Sequence, residues 1–195
     1  MGIKFLKELR EKSFEKKEAK RREHSVSSLM KKIKKIRPDV EIRRNAAIGG
    51  KPVGDIIVMG DRVFCILTSD ASGKVRISMD EKTRWLSLDK AGVSFSNPFG
   101  LNAEHMKDAE EAVSGAVAFS FSRTDYAVLG IVYCPSVKKG SVFFGTMPPE
   151  RQAVAFTAAD LLYEIDAAEP LPSDVTSLRF MNGLVDGEEG ASING

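Results

Sequence analysis

The chain has 195 residues, 43% of them hydrophobic, which is enough for one sizeable core and too short for a second full domain. It holds no run of about 18 apolar residues to cross a membrane as a helix and no apolar signal core at its start, so a cytoplasmic protein without a transmembrane segment is expected. The net charge of +2 is uneven: residues 1–44 carry 16 Lys and Arg against 7 Asp and Glu, a net of +9, and the rest 13 against 20, a net of −7.

Met1-Gly2 opens like a myristoylation signal, but Leu6 stands where Ser or Thr is needed. Ile3 to Arg22 is helical by propensity, with a thin apolar face from Ile3, Phe5, Leu6, Leu9 and Phe14. Glu15 to Glu23 has almost none, so the first half is expected to be loose or packed on a neighbour. Residues 1–22 read as a basic helical extension. Lys16, Lys17, Lys20, Arg21, Lys31, Lys32, Lys34 and Lys35 are the candidate nucleic-acid contacts, because a basic helix attracts phosphate backbones, or anionic lipid, by charge alone. A solvated face with i,i+4 pairs such as Glu8–Lys12 and Glu18–Arg22 explains the same residues, and no aromatic residues interleave for stacking. From Val26 the pattern sharpens: Val26, Leu29, Met30, Ile33 and Ile36 form a helical stripe that Pro38 ends.

Val40 to Ile48 alternates as a strand, and Gly49 to Gly54 is a loop. Gly49-Gly50-Lys51 is too short for a phosphate loop and lacks the following helix. Ile56–Met59 and Val63–Thr68, joined by Gly60-Asp61-Arg62, are nearly continuous apolar runs, as expected of adjacent strands buried on both faces. Asp55 heads the first. Lys74 to Met79 and Arg84 to Leu88 predict a more exposed hairpin anchored by Trp85 and Leu86. Asp89 to Phe99 reads as a loop stopped by Asn97-Pro98, after which Asn102 caps a helix from Ala103 to about Val117. That helix carries a small-residue stripe of Met106, Ala109, Ala112, Val113, Ala116 and Val117.

Tyr126 to Cys134 reads as an interior strand, parallel to one of the earlier strands through a right-handed crossover. Ser141 to Phe144 is a short edge strand. Thr157 with Asp160 is a capping pattern for a helix over Ala158 to Ile165, with Leu161, Leu162 and Ile165 inward. A short helix over Ser173 to Met181 and disorder over Gly183 to Gly195 are expected in an acidic, Gly-rich tail, 169–195. Cys65 and Cys134 lie in apolar runs and read as buried thiols. The expected fold is α/β: a central mixed sheet of a strand meander plus a crossover strand, flanked by helices, over residues 23–168.

The motifs, taken together, resemble the nuclease-related domain (NERD) family, whose fold is related to PD-(D/E)XK restriction-type nucleases. Glu23-His24-Ser25-Val26 matches the family's N-terminal helix motif, with Arg22 in place of its Gly. Asp55-Ile56-Ile57-Val58-Met59-Gly60 matches the acidic strand and Val63-Phe64-Cys65-Ile66 the next. Ser72-Gly73-Lys74-Val75, Trp85, Asn97-Pro98 and His105 follow at matching spacing, so the resemblance covers about residues 20–165. It implies a restriction-endonuclease-like fold in which an Asp and a Glu share a divalent metal and a Lys assists the attack on phosphorus.

The departures fall on the chemistry. Leu67 and Ser69 stand where the family has the Glu and Lys of E-x-K, and Leu101 stands where it has Gln. Glu23, Asp55, Leu67, Ser69 and Leu101 are therefore vestigial positions. Asp55 is the sole metal-ligand candidate, and Mg2+ or Mn2+ is expected only if a site has been rebuilt around it. Asp70, which alternation turns away from Leu67 and Ser69, and Lys74, after the turn, are the residues that could rebuild it. Asp55 also reads as an acid capping a neighbouring turn. His24 and His105, distant and without a nearby cysteine, do not make a zinc site; His105 is expected to face solvent or the sheet edge. Three functions remain: a catalytically silent nuclease-like domain that binds nucleic acid through its basic N-terminus, a protein-interaction or scaffold domain, and an active nuclease with a migrated site.

Overall fold

A five-stranded mixed sheet with helices on both faces carries the molecule, and a second, four-stranded sheet lies beside it. The computed structural model describes residues 2–48, 50–59, 62–116, 128–145 and 151–168. In chain order they form α1 (Gly2–Ile36), β1 (Glu41–Arg44), β2 (Ala47–Ile48), β3 (Lys51–Pro52), β4 (Ile56–Met59), β5 (Val63–Thr68), β6 (Val75–Ser78) and β7 (Trp85–Ser87). There follow β8 (Ser94–Phe95), α2 (Pro98–Ala116), β9 (Val128–Tyr133), β10 (Val142–Phe144), β11 (Gln152–Ala155) and α3 (Ala158–Ala167). No helix among the described residues is long and apolar enough to cross a membrane. The Gly60-Asp61 turn, Val117, Tyr126 and the expected helix and tail after Ala168 lie outside the described residues.

The main sheet has the order β1-β4-β5-β9-β11, antiparallel up to β5 and parallel beyond it. The expected crossover strand is therefore β9, which joins β5 in parallel after α2. Every residue of β5 is buried, as its unbroken apolar run requires of a strand covered on both faces. On one face Val26, Leu29 and Ile33 of α1 and Leu161, Leu162 and Ile165 of α3 pack on Ile56, Val58, Phe64, Ile66, Ile131 and Tyr133. On the other, α2 buries Met106 and Ala109 against β5 and β9. Gly130 of β9 makes that approach close: a Cβ there would lie 2.5 Å from Met106 Sδ and 2.8 Å from Asn102 Nδ2. Cys65 and Cys134 are buried free thiols, and burial pushes the Cys134 pKa up to about 12.

The meander is split between two sheets. β5 pairs on one edge with β4 and on the other with β9, so neither edge remains for β6. β6 instead founds the second sheet, β10-β6-β7-β8, whose core holds Val75, Ile77, Trp85 and Phe99. Trp85 anchors it, its Nε1 donating to the Ser78 carbonyl at 2.9 Å. Leu86 does not: alternation turns it outward, where it is exposed.

Three local expectations are corrected. The strand over 40–48 breaks at Asn45, whose φ of 47° is left-handed, a conformation asparagine tolerates. The loop after it contains β3, paired with β2. Asn97-Pro98 begins α2 instead of ending a loop: Asn97 Oδ1 accepts the Phe99 amide at 3.0 Å, and Pro98 takes the first helical position, where its missing N–H costs nothing. Asn102 is consequently interior and fully buried, its Nδ2 donating to the Cys65 carbonyl. The Thr157–Asp160 capping box forms as expected and starts α3.

Candidate functional site

One helix runs without a break through residues 22 and 23, and its inner stripe brings an arginine to the end of the main sheet. Arg22, Val26, Leu29 and Ile33 follow i, i+4, i+7 and i+11, so Arg22 extends the buried stripe by one turn. There its Nη2 donates to both carboxylate oxygens of Asp55, at 2.7 Å each. Asp55 is also held from the sheet. Its N–H donates to the Ile66 carbonyl, its carbonyl accepts the Asn45 amide, and Oδ2 accepts the Thr68 amide at 2.7 Å. The side chain of Asp55 is 16% exposed, against 43% for Arg22. A second pair stands beside the first: Arg44, at the end of β1, donates to Glu23. That bond holds the Glu23 carboxyl below its usual range and raises Arg44, which the Asp55 charge raises further.

These residues wall a cleft of about 550 Å3 that also includes Arg21, Ser25, Asn45, Thr68, Ser69, Asp70 and Ser136. Of Glu23, Asp55, Leu67, Ser69 and Leu101, the positions singled out by the resemblance, the cleft gathers Glu23, Asp55 and Ser69. Leu67 is buried on β5, across the register from Asp55, and offers no oxygen. Ser69 turns the chain, its N–H donating to the Tyr133 carbonyl and its Oγ accepting the Ala71 amide. Leu101 is exposed on the first turns of α2 and is not a wall of the cleft. Asp70 reaches the cleft, whereas the Lys74 side chain runs along Gly140.

A divalent metal does not fit this donor set. Such an ion takes several oxygens, and of the three carboxylates in the cleft Asp55 and Glu23 are already matched by guanidinium groups, which leaves Asp70 alone. Among the described residues no three His, Cys, Asp or Glu side chains are grouped to hold a metal. The signal for Arg22 and Arg44 is present in the sequence: one continues the helical stripe, and the other closes the strand before Asp55's neighbour Asn45.

His105, expected toward solvent or the sheet edge, is buried, and its Nδ1 has no hydrogen-bond partner among the described residues. Burial lowers its pKa while the Asp55 charge opposes that shift. The unfolded chain therefore binds a proton below about pH 6.5 that the folded chain resists, and this contribution to stability is lost as pH falls past that value. The drop in melting temperature from pH 7 to pH 5 is expected to be shallower in His105→Gln. In Asp55→Asn, burial is opposed only by the weaker Glu104 and Asp108 charges, and the His105 imidazole should titrate lower by NMR.

Lys16, Lys17, Lys20, Arg21, Lys31, Lys32, Lys34 and Lys35 are all exposed on α1. Lys34 is engaged, its Nζ donating to the carbonyls of Val40 and Pro38 at 2.5 and 3.3 Å, so it closes the end of α1. His24 is exposed on the same helix. Comparison of the chain with protein-family models, with curated proteins and with solved structures finds no match in any of the three.

Proposed function

We propose that this is a nuclease-like α/β domain that has lost phosphodiester chemistry and binds nucleic acid through the basic outer face of α1. The Arg22–Asp55 pair carries the reading. The acid to which the NERD resemblance gives a metal is neutralised by the protein's own cation, and the facing position, Leu67, supplies no second ligand. A fixed guanidinium takes the place in which a metal would be needed, so neither Mg2+ nor Mn2+ is required. The binding half of the proposal draws on Lys16, Lys17, Lys20, Lys31, Lys32 and Lys35, exposed along a helix about 52 Å long. The buried reduced thiols suit a cytoplasmic setting.

Fluorescence anisotropy with labelled oligonucleotides across a salt series tests it. Each phosphate contact contributes about 0.9 to the log–log salt slope on duplex DNA. Replacing those six lysines by alanine is expected to flatten the slope by several units and to abolish measurable binding near 150 mM salt. Weak, salt-insensitive binding by the wild type would contradict the reading.

One observation favours a second reading, a protein-interaction domain. Edge strand β10 exposes Val142, Phe143 and Phe144 in succession. Among the described residues no strand pairs with its outer side, and an apolar edge of that kind is a template for strand addition by another chain.

A further inference from the structure

We propose that a single-stranded polynucleotide is held in the crevice that leads from the Asp55 cleft to the second sheet. This rests on the nucleic-acid reading above and names the form of nucleic acid and its path. The crevice has a volume of about 980 Å3 and shares Arg21, Asp70, Pro135 and Ser136 with the cleft, so the two are continuous. Its far walls come from three connections, those after β5, β7 and β9, together with β8.

Three features suit a flexible strand. Arg21, Lys90 and Lys138 supply positive charge along the crevice, and the ammonium groups of Lys90 and Lys138 make no ion pair with any described residue. Lys17 precedes Arg21 by one helical turn, which carries the positive track from the crevice onto α1. Half-buried Phe95 adds an aromatic wall on which a base can stack, and Ser72 and Ser136 add hydroxyls. Asp89 is committed to the local loop, where Oδ2 accepts the Lys74 amide at 2.8 Å. The concave shape decides between forms. Duplex DNA is read by elements that project into grooves about 12 Å wide, whereas a crevice with cations and an aromatic wall receives an unpaired strand.

The test is anisotropy on the full chain with labelled 12-nucleotide oligo(dT) and oligo(U) and a 12-base-pair duplex. The proteins are wild type, Lys90→Ala/Lys138→Ala, and Lys31→Ala/Lys32→Ala. All four lysines are exposed, and circular dichroism checks that each variant folds. The expected result is that wild type prefers the single strands, that the crevice variant binds them tenfold or more weakly, and that its salt slope falls by about 1.4, or 0.7 per lost contact. The Lys31/Lys32 variant should lose less. Unchanged strand binding in the crevice variant, with loss in the α1 variant, overturns this path and leaves binding by α1 intact. A preference for duplex overturns the choice of single strand. No binding of any oligonucleotide by wild type overturns the nucleic-acid reading itself.

Discussion

Leu67→Glu is expected to destabilise the protein by about 3–5 kcal/mol at neutral pH, the scale of a buried charge left uncompensated. Leu67 is 4% exposed and lies across from Asp55, whose carboxylate already takes the Arg22 guanidinium and the Thr68 amide. A second carboxylate there is buried and is repelled by the first. The added group should escape by staying protonated, because burial beside a like charge raises a carboxyl pKa. Urea denaturation at pH 8 and pH 5 checks this, with a markedly smaller loss expected at pH 5. Equal losses at both would assign the effect to shape alone. The substitution places an acid where the NERD resemblance implies one, so its cost measures how poorly this site, with Asp55 paired to Arg22, accepts it.

Trp85→Ala is expected to cost about 3–5 kcal/mol, as for other large aromatic truncations in cores. The indole is fully buried and packs edge-on against Phe99, with ring centroids 5.8 Å apart. Its removal also leaves the Ser78 carbonyl without the Nε1 donor, though Asn97 still approaches that oxygen at 3.3 Å. Asn97 ties the same region together, its Nδ2 donating to the carbonyls of Asp80 and Thr83 at 2.6 and 2.8 Å while its Oδ1 caps α2. Denaturant unfolding should therefore show the loss as one cooperative transition. A separate early transition in the variant would mean that the second sheet unfolds independently of the main one.

Long apolar runs made β5 and β9 legible from sequence, because a strand buried on both faces needs no alternation to be recognised. The capping box of α3 was equally plain, since Thr157 and Asp160 satisfy each other's amides locally. What escaped depends on partners distant in sequence. No pattern marks β11, a short mixed Gln-Ala-Val-Ala that becomes a strand by pairing with β9. Asn97-Pro98 has two local readings, a loop stop or a helix start, and the carbonyls of the 78–83 hairpin select the second. The split of the meander follows from β9 occupying the edge of β5, which no local signal announces. In the site, Asp55, Glu23, Leu67 and Ser69 are legible as positions in the sequence. The pairing of Asp55 with Arg22 and of Glu23 with Arg44 is not, because it joins residues 33 and 21 positions apart, and only the folded chain brings the end of the α1 stripe to the start of β4.

The most direct test of the central claim is a calorimetric titration of Mn2+ and Mg2+ into wild type and Asp55→Ala, with plasmid cleavage assayed under the same conditions. If Arg22 and Arg44 neutralise Asp55 and Glu23, the two proteins give the same weak, unsaturable heats, and neither cleaves above background. Saturable metal binding that disappears in Asp55→Ala, accompanied by cleavage, would contradict the claim and make Asp55 a working ligand.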